Sequence, residues 1–147
     1  MSVIVIAASG PSLSQEQVRE VIGSGLPVLA VSDTYRLFPD AQFSYSSDLS
    51  WWRVHADRNR IARRFSCSPA ACRAYGLTLV KVDFQSANSG SQALQVAQQL
   101  GFTRLVLVGF DFQHTGGRRH FFGDHPPQLR NAPSCQTWLS RLPKLVD

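Results

Sequence analysis

"VIVIAASGPSLSQEQ", residues 3–17, decides how the chain reads. Val3 to Ala7 is apolar and largely β-branched, the pattern of a short strand buried on both faces. It stops at Ser9-Gly10-Pro11-Ser12 and restarts as a polar segment, in which Ser14 and Gln17 have the spacing of a capping box. A strand that turns tightly into a helix gathers backbone N–H groups and the positive end of the helix dipole at one point, which suits an anion such as phosphate. The competing reading is an ordinary loop.

The same grammar recurs along the chain. Short apolar runs lie between turn signals at Pro27 to Val31, Phe43 to Ser46, Leu77 to Val82 and Arg104 to Gly109. Helical segments separate them: Ser14 to Ser24, closed by Gly25; Leu49 to about Ile61; Ser68 to Tyr75, with Pro69 just inside its start; and Ser89 to Leu100, ended by Gly101. The last carries Ala93, Val96, Ala97 and Leu100 as one apolar stripe. A loop over 113–133, rich in Gly and Pro, leads to a closing helix from Ser134 to Leu142. Strands alternating with helices specify a single-domain α/β fold: a Rossmann-like, doubly wound, mainly parallel sheet in three α/β/α layers, with ligands beyond the carboxyl ends of the strands.

Composition agrees with one ordinary domain. The chain has 147 residues, of which 44% are hydrophobic and 10% aromatic, and a net charge of +5. The excess arginines cluster at Arg53, Arg58, Arg60, Arg63 and Arg64 and again at Arg118, Arg119 and Arg130, favouring anionic partners or serving as solvated helix faces. Three cysteines, Cys67, Cys72 and Cys135, are not at metal-ligand spacing, and no secretory signal opens the chain. We therefore expect reduced thiols, a cytoplasmic protein and no membrane partner.

Several segments carry candidate chemistry. The opening turn has neither three glycines nor a Gly-Lys-Ser/Thr, so NAD-type and Walker-type sites are disfavoured, leaving Ser9, Gly10, Pro11, Ser12 and Ser14 as a phosphate or ribose cradle. "AVSDTY" and "SYSSD" end the second and third strands and place Ser32, Asp33, Ser47 and Asp48 on the same edge, as ribose ligands or as helix N-caps. "SANSGSQALQ" repeats the opening logic at Asn88, Ser89 and Gly90.

"GFDFQHTGGRRHFFGDHPP" gathers Asp111, His114, Arg118, Arg119, His120, Asp124 and His125, groups suited to proton transfer and anion binding or simply facing solvent. His114, His120, Asp124 and His125 match no standard metal-ligand spacing, so no metal is expected. Trp51-Trp52 reads as base stacking or, more commonly, as one ring on the core and one at its rim; no nucleic-acid motif accompanies it, and nucleic acid is not expected as a partner.

Three of these segments together resemble a known group. "VIVIAASGPSL" is similar to the GxGPSL opening of the bacterial lipooligosaccharide sialyltransferases that use CMP-sialic acid, and of their Rossmann-like relatives. Those relatives are the hydroxymethylpterin diphosphokinase-like proteins, flagellar motility accessory factors and short phage-encoded proteins. "NSGSQALQVAQQLGFTRLVLVGFDF" resembles the second signature of the group, and "RRHFFGDH" resembles the stretch where the sialyltransferases carry their catalytic histidine.

The resemblance implies a nucleotide or nucleotide-sugar ligand of CMP type, held by Ser9, Gly10, Ser12, Ser32, Ser47, Ser89 and Gly90. It implies His120 as the base, with His125 as its rival. Ser9 and Ser32 stand where the group commonly has Asn, and the lid before His120 is shorter and lacks its tyrosines. Arg118 or Arg119 would neutralise the leaving phosphate. Alternatives are a phage-type protein that sequesters a nucleotide or nucleotide-derived signal without catalysis, and a pterin diphosphokinase-like transferase using Asp33, Asp48 and Asp111 for magnesium. A homo-oligomer through an uncovered sheet edge is also expected.

Overall fold

The computed structural model describes residues 2–83 and 88–129. The helix expected over 134–142, together with Arg130 and Cys135, lies outside them.

Six strands form one all-parallel sheet: β1 (Val3–Ala7), β2 (Val28–Val31), β3 (Phe43–Tyr45), β4 (Arg63–Ser66), β5 (Thr78–Leu79) and β6 (Arg104–Val108), in the order β5-β4-β3-β2-β1-β6. Four helices connect them: α1 (Gln15–Gly23), α2 (Leu49–His55), α3 (Pro69–Tyr75) and α4 (Ser89–Gln99).

The topology follows from chain direction. From β1 to β5 each crossover steps the same way, and the right-handed rule puts their helices on one face. The return from β5 to β6, across the sheet, puts α4 on the other. Side-chain alternation matches. Ile4, Ile6, Leu29, Val31, Phe43, Tyr45 and Phe65 pack with Ala93, Val96 and Ala97 of α4. On the opposite face Val5, Ala7 and Val28 pack with Val18 and Val21 of α1, and Ala30 packs with the α2 and α3 cluster.

Local signals hold where they are strongest. Ser14 and Gln17 form the capping box at the start of α1, and Ser68 accepts the Ala71 N–H at the start of α3, with Pro69 next. Two boundaries differ, and one strand is new. The expected helix to Ile61 stops at His55, because the next residues turn and Asn59, buried, spends its side chain on Ser44 Oγ at 2.8 Å. The strand expected over 77–82 is reduced to Thr78–Leu79, an exposed edge. β4 was not anticipated, because "RRFS" lacks an apolar run. Its Arg63 lies over the Phe43 ring at 4.7 Å, while Arg64 donates to the carbonyls of Ala56 and Asn59 at 3.0 and 3.1 Å.

Candidate functional site

The two turn-helix reversals meet on the carboxyl edge of the sheet. A Cβ placed on Gly90 would stand 3.7 Å from Ala8 Cβ and 3.3 Å from the Phe110 ring, so the start of α4 abuts both the end of β1 and that ring. The opening turn is stitched to the loop after β6. The Gly10 N–H donates to Gly109 O at 2.8 Å, the Ser12 N–H donates to Asp111 Oδ2 at 2.7 Å, and the Ser12 hydroxyl donates to Asp111 Oδ1. Asp111 thus takes the position an anion would hold on those donors.

A seam of small hydroxyls runs beside it. Ser47 N–H donates to Ser89 Oγ at 3.0 Å, the two hydroxyls are 2.8 Å apart, and Ser32 Oγ lies 3.2 Å from Ser46 Oγ. Asn88 caps α4 by accepting the Ser91 N–H at 2.9 Å.

The densest chemistry stands over the ends of β2 and β3. Beyond Val31 the chain turns at Ser32 with φ +49° into a 3-10 turn, Ser32–Arg36, which Thr34 anchors by donating to Ala7 O at 2.8 Å. This buries Asp33 to 1% exposure. Its Oδ1 accepts the Trp51 indole N–H at 2.8 Å; its Oδ2 lies 3.4 Å from Arg36 Nη1 and 3.7 Å from His55 Nε2. Trp51 and His55, one turn apart on α2, stack at 4.5 Å.

Tyr35 Oη is 3.0 Å from His55 Nδ1. Burial raises the phenol's pKa, with Asp33 adding to it, and burial lowers that of the imidazole. The phenol therefore keeps its proton and donates to Nδ1, and the imidazole N–H at Nε2 faces Asp33.

The loop after β6 crosses this edge. Phe121 N–H donates to Ser9 O at 3.0 Å, Phe121 joins the α1 cluster, and Leu129 is buried in the α2 cluster. The crossing carries two imidazoles onto the site. His125 Nδ1 lies 3.9 Å from Asp33 Oδ1, and the His120 and His125 rings are 4.5 Å apart. His120 stacks on Phe122 at 4.8 Å, and its Nδ1 is 3.1 Å from Gly123 O. That carbonyl holds the proton on Nδ1 and leaves the Nε2 lone pair as an acceptor. Burial, and next His125, push the His120 pKa down; burial likewise lowers His125, against the pull of Asp33. Asp48, though it reaches solvent, has a raised pKa through its surroundings, which His125 opposes.

Beside the imidazoles opens a cleft of about 720 Å³, lined by Asp33, Tyr35, Arg36, His55, Arg58 and Phe122 among others. Asp33, His120 and His125 are thus brought together, and Asp48 is near enough for His125 to act on it. Asp111, Ser12 and Gly10 form a separate, internally bonded unit. Arg118 donates to Phe121 O and so braces the loop, while Arg119 lies 3.9 Å from Asp124 on the surface. His114 is exposed. Among the described residues no group of three or more His, Cys, Asp or Glu side chains is arranged to hold a metal, and no helix is long and apolar enough to cross a membrane.

Sequence reading missed Tyr35 and His55, and took Arg58 only as one member of a basic cluster. The available signal was the Trp51–His55 spacing of four, which puts both rings on one helix face. No protein-family model, curated protein or solved structure matches the chain.

Proposed function

We propose that this is a nucleotide-binding, sialyltransferase-like transferase acting on a nucleotide-activated donor. The carrying observation is His120, with Nδ1 committed to Gly123 O, a lowered pKa and its Nε2 lone pair available beside His125 and Asp33. That is the state a general base requires at neutral pH.

In this reading Nε2 takes the proton of an acceptor hydroxyl. The acceptor oxygen then bonds to the activated carbon of the donor, the carbon–oxygen bond to the nucleotide phosphate breaks, and the phosphate leaves with the electron pair. His125, its ring 4.5 Å from that of His120 and its Nδ1 3.9 Å from Asp33, can relay the proton away. The hydroxyl seam of Ser32, Ser47 and Ser89 offers ribose contacts, and Arg119 at the rim meets the leaving charge.

Replacing His120 with Ala should abolish transfer from a cytidine-activated sugar while changing cytidine nucleotide affinity by less than about twofold. Equal loss of both would refute the assignment.

A second reading is a binder that sequesters a nucleotide without reaction. It rests on the hydroxyl seam of Ser32, Ser47 and Ser89, which offers ribose contacts and carries no group that takes a proton. Heat-denatured protein would then release an unmodified nucleotide, whereas a hydrolysed or transferred product would exclude this reading.

A further inference from the structure

The cleft beside the imidazoles has its own charge pattern, separate from the hydroxyl seam. Asp33 faces Arg36 at 3.4 Å, and Asp124 faces Arg119 at 3.9 Å. Arg58, which follows α2 and lines the same cleft, makes no ion pair among the described residues. One guanidinium is left without a counter-charge at the mouth of a concave space.

The floor is polar and buried. His55 is 5% exposed, and its Nε2 has no hydrogen-bond partner, standing 3.7 Å from Asp33, outside hydrogen-bond reach. Tyr35, buried beside it, holds the other ring nitrogen. Arg36 and Arg58 line the same cleft as Tyr35 and His55, so two guanidiniums border one space. The volume of about 720 Å³ is of the size that takes a small organic molecule.

We infer that this cleft binds an oxyanion, a carboxylate or a phosphate monoester on a small molecule, with Arg58 as its principal counter-charge, Arg36 as the second and the Tyr35–His55 pair at its floor. Guanidinium suits either oxyanion, because its planar fork meets two oxygens at once. Under the transferase reading, on which this assignment of a role rests, the anion belongs to the acceptor, and its binding would bring the acceptor hydroxyl toward His120.

The Trp51 indole N–H, bonded to Asp33 at the floor, reports on the cleft without a label. Titrating the full chain with inorganic phosphate, and in parallel with citrate, at low salt should move that resonance and those of His55 and Tyr35. Arg58→Ala should weaken the responding anion about tenfold, the loss of one charge-assisted contact. Arg58→Lys should recover part of it, and Arg73→Ala, an exposed arginine on α3, should titrate as the parent does.

A response to phosphate alone marks a phosphate ester as the ligand, and one to citrate alone a carboxylate; either supports the site. Absence of any shift with both anions, or identical titrations for the Arg58→Ala and Arg73→Ala variants, overturns it. No nucleotide enters this experiment, so its failure leaves the His120 assignment standing, and loss of the His120 assignment leaves the anion site standing.

Discussion

Trp51 donates its indole N–H to Asp33 at 2.8 Å, and so joins the hydrophobic packing of α2 to a carboxylate beneath two imidazoles. A carboxylate 1% exposed is costly to bury without partners, and Trp51 and Arg36 provide them. Asp33→Leu should therefore lower stability by about 2–4 kcal/mol, since it leaves the buried indole N–H and the Arg36 guanidinium without their partner. Asp33→Asn, which keeps an acceptor for Trp51, should lose about half as much. Urea unfolding followed by tryptophan fluorescence measures both, and a fully stable Leu variant would remove the structural role assigned to this carboxylate.

The stitched turns make a second, sharper set of expectations. A Cβ on Gly109 would stand 2.1 Å from Ala8 O, at φ +70°, and one on Gly10 would stand 2.3 Å from Gly109 O. Each Gly→Ala change should destabilise by about 2 kcal/mol or more, through backbone clash that no rotamer relieves. Gly23 is the contrast: it ends α1, and nothing lies within 4 Å of its added Cβ. Gly23→Ala should stabilise by about 0.5–1 kcal/mol. Thermal melts of the three variants should rank them in that order.

Acid should weaken the fold. His55, His120 and His125 all have pKa values below that of a free histidine, chiefly through burial. As pH falls through about 6.5, the unfolded chain takes up protons that the folded one refuses, so stability declines with decreasing pH in that window and levels off above it. The slope is at most about 1.4 kcal/mol per pH unit for each histidine. Replacing His125 and His120 together by Gln should flatten the melting-temperature profile between about pH 5 and 7, and an unchanged slope would contradict these shifts.

Asp111 holds Ser12 through both the backbone N–H and the hydroxyl. Removing the carboxylate with Asp111→Ala should cost about 1–2 kcal/mol of stability and free those donors. The Ser12 and Leu13 amide signals should then respond to added phosphate in the variant and stay still in the parent. Response in the parent would show that the turn accepts an anion despite Asp111.

What the sequence made legible follows from period and punctuation. The runs at Val3 and Arg104, the Ser14–Gln17 box and the Ser89 start each carry local signals strong enough to survive tertiary context, and the parallel sheet follows from their alternation. β4 escaped because Phe65 is its one large apolar residue; Arg63 and Arg64 are held there by aromatic faces and carbonyls that only the folded chain supplies. Trp51 and Trp52 are both buried, at 3% and 0% exposure, so neither ring sits at a rim.

The site divided in the same way. Asp33 was visible on the strand edge, and His120 and His125 as chemistry-bearing residues of the loop after β6. Tyr35 and His55 were not, because their pairing depends on how a 3-10 turn packs against α2, which no spacing along the chain encodes.

The pairing of β1 has a consequence for synthesis on the ribosome. Its register joins Val5 to Val28 on one side and to Val106 on the other. As the chain emerges, β1 can seat against β2 early, but its second margin waits for residues 104–108, a delay of roughly 4–15 s at ordinary elongation rates. Throughout that interval a run of Val and Ile presents open backbone donors and acceptors to any neighbouring nascent chain. β1 is thus made well before the strand that completes its enclosure, and a holdase that shields it co-translationally should raise the yield of folded protein.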